Sequence, residues 1–316
     1  MLWLKFRNKV LREPHHLEAK WEFVCANIEN IDLGESLTMV KNDNANHVTR
    51  WKLDDLVEIV DEFDERMCDY INYAKIRFMH DYKNTLIFMS GKCIVTMKEI
   101  ICLVQCGYPD GALVLARNMY EQFILARFFE KHKVENDFQN YVEDFWLDYE
   151  IKQVKFLRIE AERIRKNDEE KMRLSEKISQ LQLKAHRHEK NKKNSEYWWA
   201  GHRTFKDIVD EVNKEPMSEE WDTFVNILHL MYKRACIATH ASCPGNAIRL
   251  GNDSQFCGVD NSPHDKGHSI SLLMATYAFS YILQVTSLEL SIKSVELEHG
   301  LLDLLEYYNS LLEADY

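Results

Sequence analysis

Apolar residues recur at spacings of three and four along almost the whole chain, and only five prolines and ten glycines interrupt its 316 residues. A half-buried strand needs an apolar residue at every second position and turn residues at its ends, whereas an amphipathic helix needs one at every third or fourth. Runs of the first kind are hard to find here. The spacing therefore predicts an all-α fold, a large helical bundle. The organisation expected is an N-terminal helical extension over residues 1–51 and a bundle domain over 52–316, the latter carrying an inserted, protruding helical arm at about 138–193.

Taken in order, the chain offers a short amphipathic helix at Leu17–Ile31 and a polar loop at Lys41–Thr49. A surface helix follows over about Lys52–Met79, with Leu53, Leu56, Ile59, Val60, Phe63, Met67 and Ile71 on one side. Thr85–Cys106 is apolar nearly all round and stops at Gly107-Tyr108-Pro109-Asp110-Gly111, where Asp110 is placed to cap the next helix, Ala112–Lys131. In that helix Val114, Arg117, Glu121, Leu125 and Phe128 share one stripe, so the Arg117/Glu121 pair is expected on the core side, as a buried ion pair or as part of a site. The arm begins with the spacing Phe138, Val142, Phe145, Tyr149, folds back near Asn167-Asp168 and ends in the basic run His186–Lys193. Its charged middle suggests a dimer contact. A short helix at Phe205–Val212 leads to a helix over Met217–His240, with Pro216 and Ser218 as its start signal. The long connection Cys243–His264 reads as a functional loop, and an acidic helix runs on to Tyr316.

Ser269–Leu288 carries no charged residue and is about long enough to cross a bilayer. Its serines and threonines are too many for a membrane span, and no basic cluster flanks it to fix an orientation. A buried central helix is the expectation, with no membrane partner. The N-terminal Met-Leu-Trp-Leu-Lys-Phe-Arg meets a charge too early for a signal-peptide core.

A formal net charge of -11 repels phosphate at long range, so nucleic acid would need a local basic patch, and the balance favours a protein partner or a small ligand. The one concentrated basic run, Lys184 to Lys193, is followed by Tyr197, Trp198 and Trp199, a combination able to hold single-stranded RNA by charge and stacking, though such a run also reads as a solvated helix end. The eight cysteines fall mostly within apolar helical patterns and read as reduced core thiols of a cytoplasmic protein.

The residues that carry chemistry gather toward the end of Met217–His240. Tyr232, Cys236 and His240 follow one another at i, i+4 and i+8 along one slowly drifting face, which Lys233 shares with His240. Arg234 lies roughly a third of a turn from His240 on an ideal helix. The two meet if the helix loosens at Ala241-Ser242-Cys243-Pro244-Gly245, or if a second subunit supplies one of them. The other reading of His240 is a helix C-cap that complements the dipole. His240, Cys243, Cys257, His264 and His268 surround the long loop but lack any Cys-x-x-Cys spacing, so neither a metal nor another cofactor is expected.

Gly107-Tyr108-Pro109-Asp110-Gly111-Ala112-Leu113-Val114-Leu115-Ala116-Arg117-Asn118-Met119-Tyr120-Glu121, together with Trp198-Trp199-Ala200-Gly201 and Tyr232 through His240, resembles a widespread bacterial family of helical proteins known only as a domain of unknown function. That resemblance spans roughly Lys52 to Glu289. Arg234-Ala-Cys-Ile-Ala-Thr-His240 resembles, more loosely, the arginine-to-histidine signature of HEPN domains, helical bundles that are often dimeric and often metal-independent ribonucleases of toxin and phage-defence systems. The chain departs from the HEPN pattern at Ala235, where a polar residue is usual. The resemblance implies Arg234 and His240 as catalytic residues, with Arg117, Glu121, Tyr232 and Lys233 in support, RNA as substrate and a homodimer. The alternative is a helical interaction protein that binds a partner through the arm at 138–193 or the acidic C-terminal helix and keeps Arg117, Glu121 and His240 as internal polar packing.

Overall fold

The computed structural model describes residues 51–74, 80–163, 168–185, 197–201, 203–214, 219–239, 250–253, 256–259 and 268–314. The expected helix at Leu17–Ile31, the basic run His186–Lys193, the start signal at Pro216 and Ser218, and His240 lie outside the described residues. The elements are α1 (Leu53–Ala74), α2 (Tyr82–Gln105), α3 (Pro109–His132), α4 (Phe138–Arg163), α5 (Asp168–Lys184), a 3-10 turn (Trp198–Ala200), α6 (Phe205–Asn213), α7 (Glu219–Thr239), β1 (Leu250–Asp253), β2 (Phe256–Val259), α8 (His268–Leu290) and α9 (Val295–Ala314). The fold is all-α. Among the described residues the one strand pair is a short antiparallel hairpin, with Leu250 opposite Val259 and Asp253 opposite Phe256, inside the stretch read from sequence as a loop.

The chain sorts into two compact units. The first holds the described residues of Met1–Lys75, Met89–Phe123 and Pro216–Tyr316. Its centre is α8, which is buried on every side except at Tyr281, Gln284, Leu288 and Glu289. The helix is long and apolar enough to cross a membrane, yet its apolar surface is taken up by the protein itself. Inside this helix two of the hydroxyls that the sequence places among apolar residues are partnered: Thr286 Oγ1 lies 2.8 Å from Ser90 Oγ, and Ser271 Oγ donates to the Pro109 carbonyl at 3.3 Å. Phe123 of α3 meets Tyr277 and Tyr281 edge-on at 5.3 and 5.1 Å. The apolar stripe of α1 is buried from Leu53 to Met67, with Phe63 edge-on to Phe279 at 5.8 Å, while Ile71 at its far end is half-buried. Trp51, just before α1, is fully buried against His268, and its carbonyl accepts a hydrogen bond from Tyr308 Oη at 3.0 Å. Gly300 of α9 makes room for α1, since a Cβ there would stand 2.8 Å from Ile59 Cδ1.

Helix ends follow from local sequence. At the end of α2, Gly107 takes φ 77°, and Tyr108 N donates to the Leu103 carbonyl at 2.9 Å while Gly107 N donates to that of Val104 at 3.0 Å. This is the hydrogen-bond pattern of a Schellman stop. Pro109 then opens α3, so Asp110 sits within the first turn instead of capping it. The correction has a simple cause: proline at the first helical position gives up no hydrogen bond, because that N–H has no helical partner anyway. Ser291, at φ 56°, closes α8 in the same way, with Ile292 N donating to Ser287 O at 2.9 Å.

The second unit holds the described residues of Ile76–Phe88 and Ile124–Glu215. Here α4 and α5 pack side by side, and Ile178 and Leu181 of α5 and Ile151, Val154 and Ala161 of α4 are buried. The core is aromatic. Trp199 stacks on Phe129 with ring centroids 5.5 Å apart and meets Phe128 and Phe145 edge-on at 5.7 and 5.1 Å. Trp198 Nε1 donates to Asp148 Oδ1 at 2.7 Å, and Trp146 Nε1 donates to Thr85 Oγ1 at 2.9 Å. Trp198 and Trp199 are therefore core residues and offer no stacking surface to RNA. A capping box, Thr204 with Asp207, starts α6. The far end of α6 is tied to α3, where Arg127 donates to the Val212 carbonyl at 2.8 Å and to Asn213 Oδ1 at 2.9 Å.

The cysteines also need correction. Cys93 is a core thiol, pushed up to about 12 by desolvation. Cys68, Cys102 and Cys106 are exposed, Cys236 is half-buried, and all five described thiols are free. In α2 the reason is positional: Val95, Lys98, Glu99, Cys102 and Cys106 share a stripe that faces solvent, although residues of the buried stripe alternate with them in the sequence.

Candidate functional site

The described part of the site lies where α3 and α7 meet in the first unit. Buried Leu228, Met231 and Ala235 set the inward stripe of α7. Tyr232, Cys236 and His229 fall along one flank of that stripe, Arg234 falls on the other flank, and Lys233 is exposed. From α3, Glu121 presents one carboxylate oxygen to three donors. Arg117 Nε and Nη2 each approach Glu121 Oε1 at 3.1 Å, and Tyr232 Oη donates to the same oxygen at 3.3 Å. The Arg117 guanidinium also stands 5.6 Å from the centre of the Tyr232 ring.

Burial, aided by the Glu121 charge and by Cys236, holds the Tyr232 phenol well above its ordinary pKa, so it remains a donor. Partial burial works against the Arg117 charge, but Cys236, Glu121 and Tyr232 together outweigh it and raise its pKa. Two further side chains complete the contact. The Tyr120 ring lies 4.9 Å from that of Tyr232, and Tyr120 Oη is 3.4 Å from His229 Nδ1, whose ring stacks on Tyr232 at 5.9 Å. Tyr120 and His229 were not singled out by sequence; the signal available was His229 standing three residues before Tyr232 on the same helical face.

Of the residues expected to work together, Arg117, Glu121 and Tyr232 are thus brought into one hydrogen-bonded cluster. Arg234 and Lys233 are on the same helix but point along other directions, and His240 lies outside the described residues. The Arg117 and Glu121 side chains keep 22 % and 26 % of their surface in solvent, so the pair is half-buried and not the dry ion pair the stripe suggested. Val114 on that stripe is likewise only half-buried, which leaves the flank of α3 open to water. A half-wet pair contributes less than a dry one. Glu121→Gln is expected to lower the unfolding free energy in urea by about 1 kcal/mol, where breaking a dry pair would cost about 3–5 kcal/mol.

Among the described residues no group of three or more His, Cys, Asp or Glu is arranged to hold a metal ion. His268, the one member of the loop-side set whose side chain is described, is buried in α8. His240, Cys243, His264 and the Cys257 side chain lie outside the described residues.

These features define a helical-bundle protein in which an Arg-Glu-Tyr cluster joins two long helices at a half-buried position. The chain belongs to a family of unknown function (DUF5677), whose model matches residues 83–256. That span takes in nearly all of α2, the whole of α3 and α7, and the tryptophan turn, and it is narrower at both ends than the stretch from Lys52 to Glu289 expected from sequence. No curated protein and no solved structure matches the chain.

Proposed function

We propose that this protein is a HEPN-like, metal-independent RNA-cleaving effector of a bacterial defence or toxin system, acting in the cytoplasm as a homodimer. The observation that supports this reading is the position of Arg234 near the C-terminal end of α7, a helix pinned to α3 by Tyr232 and Glu121, with His240 the next residue after the described end of the helix at Thr239. His240 takes the proton from a ribose 2′-hydroxyl, whose oxygen attacks the adjacent phosphorus; the bond to the 5′-oxygen breaks, that oxygen takes a proton from water and leaves as a 5′-hydroxyl, and a 2′,3′-cyclic phosphate is left. Arg234 holds the non-bridging oxygens as negative charge builds on them, and Lys233, exposed on the same helix, adds to the local positive field against a net charge of -11. Arg117 and Glu121 keep α7 in place.

Incubating the purified protein with total RNA in EDTA tests this. Cleavage is expected, and it should fall by about 10²–10⁴-fold in both Arg234→Ala and His240→Ala while both variants melt like the parent. RNA left intact by the folded parent protein would remove the ribonuclease reading.

One observation favours a second reading, a helical interaction protein without turnover: Glu121 Oε1 is taken up by Arg117 and Tyr232, as polar packing between two helices requires. In that case both variants bind the partner as the parent does.

A further inference from the structure

We infer that the outer face of α4 is a self-association surface, on which a second copy of this chain lays the same helix alongside in parallel. It gives the proposed homodimer a surface and a geometry, and it does not depend on the ribonuclease reading. α4 is apolar on two opposite sides. Leu147, Ile151, Val154 and Ala161 are buried within the unit. Across the helix Tyr149 (41 % exposed), Phe156 (57 %) and Ile159 (44 %) lie open to solvent, and Phe88 of α2 extends the patch beside Tyr149 at 6.0 Å. A face of this kind on a charged surface marks a contact with another macromolecule.

The spacing says what kind. Tyr149, Phe156 and Arg163 recur every seven residues, and Lys152 and Ile159 fall between them, which is the seam of a two-stranded coiled coil. Of its two charged members, Lys152 has its ammonium drawn back to Asp148 Oδ2 at 2.8 Å, so its stem covers the seam while its charge turns toward its own helix, and Arg163 stands exposed at the last residue of α4.

The flanking charges fix the occupant as a second copy. In a parallel pair, a residue just before one seam position meets the partner residue five places further along. Lys155 and Glu160 have that relation, so Lys155 of each copy meets Glu160 of the partner subunit, twice in one symmetric dimer. The antiparallel arrangement that sets Tyr149 against Ile159 would instead bring Lys155 against itself. Nucleic acid is disfavoured on this face, because Glu150, Glu160 and Glu162 are interleaved with the cations, and the exposed Phe88 and Tyr149 rings already pack on one another.

Sedimentation velocity on the full chain decides the matter. The parent is expected to show a monomer–dimer equilibrium, and Phe156→Glu to be monomeric with an unchanged helical circular dichroism spectrum, since its side chain is exposed. Lys155→Glu alone should raise the dimer dissociation constant about tenfold, by turning two attractive contacts into repulsive ones. Adding Glu160→Lys to it should restore the parent value. A parent that stays monomeric at every concentration, a dimer that Phe156→Glu leaves intact, or a double variant that fails to recover would each overturn the proposal.

Discussion

Replacing Trp199 with alanine is expected to lower the unfolding free energy by about 3–5 kcal/mol. The side chain is almost fully buried, it stacks on Phe129, and two further phenylalanines meet it edge-on, so its removal leaves a cavity walled by flat rings that cannot close onto one another. Trp199→Phe keeps a ring in the stack and should cost less than half as much. Urea titration followed by helical circular dichroism reads both changes, and equal losses in the two variants would mean that the stack is not what holds this turn.

A second large effect is expected at Ala275 in the middle of α8. The residue is fully buried, and the helix carries no charged side chain before Glu289. Ala275→Asp must bring a carboxylate into a packed apolar layer or protonate it there, and either route costs more than about 4 kcal/mol. Ala275→Ser, which adds a neutral hydroxyl of the kind this helix already carries at Ser269, Ser271 and Ser280, should cost about 1–3 kcal/mol. Soluble yield and the urea midpoint measure both. Near-parent stability of the aspartate variant would show that this helix is not the centre of its unit.

What could be read in the sequence was whatever depends on neighbours along the chain. The apolar stripe of α1, the uncharged α8 and the stop at Gly107 all follow from periodicity and local turn chemistry, which act within a few residues. What could not be read depends on partners far away. Trp198 and Trp199 come after a basic run and look like surface aromatics, but Phe129 and Asp148, which bury them, come from other helices. Cys102 and Cys106 sit among isoleucine and valine, yet nothing in that local pattern says which flank of α2 stays open. The β1/β2 pair is held by backbone bonds that side-chain alternation need not announce.

At the candidate site the same division holds. The helical spacing put Arg117 and Glu121 on one stripe and Tyr232 with Cys236 on another, but that the two stripes touch is a matter of how α3 and α7 pack. The depth of that contact was invisible as well. A side chain's wetness is set by the flank left uncovered, and here Val114 and its neighbours leave one.

The enclosure of α8 also sets a clock. Amide protons exchange with solvent only when the bonds holding them open, and a helix walled in on almost every side offers no local route by which that can happen. The hydrogens at its middle can leave only when the unit around them comes apart. Their lifetime is therefore the lifetime of the folded unit itself, while those of the half-wet contact between α3 and α7 turn over far sooner, so that the protein keeps a nearly permanent record at its centre and a short-lived one at the place where chemistry is proposed.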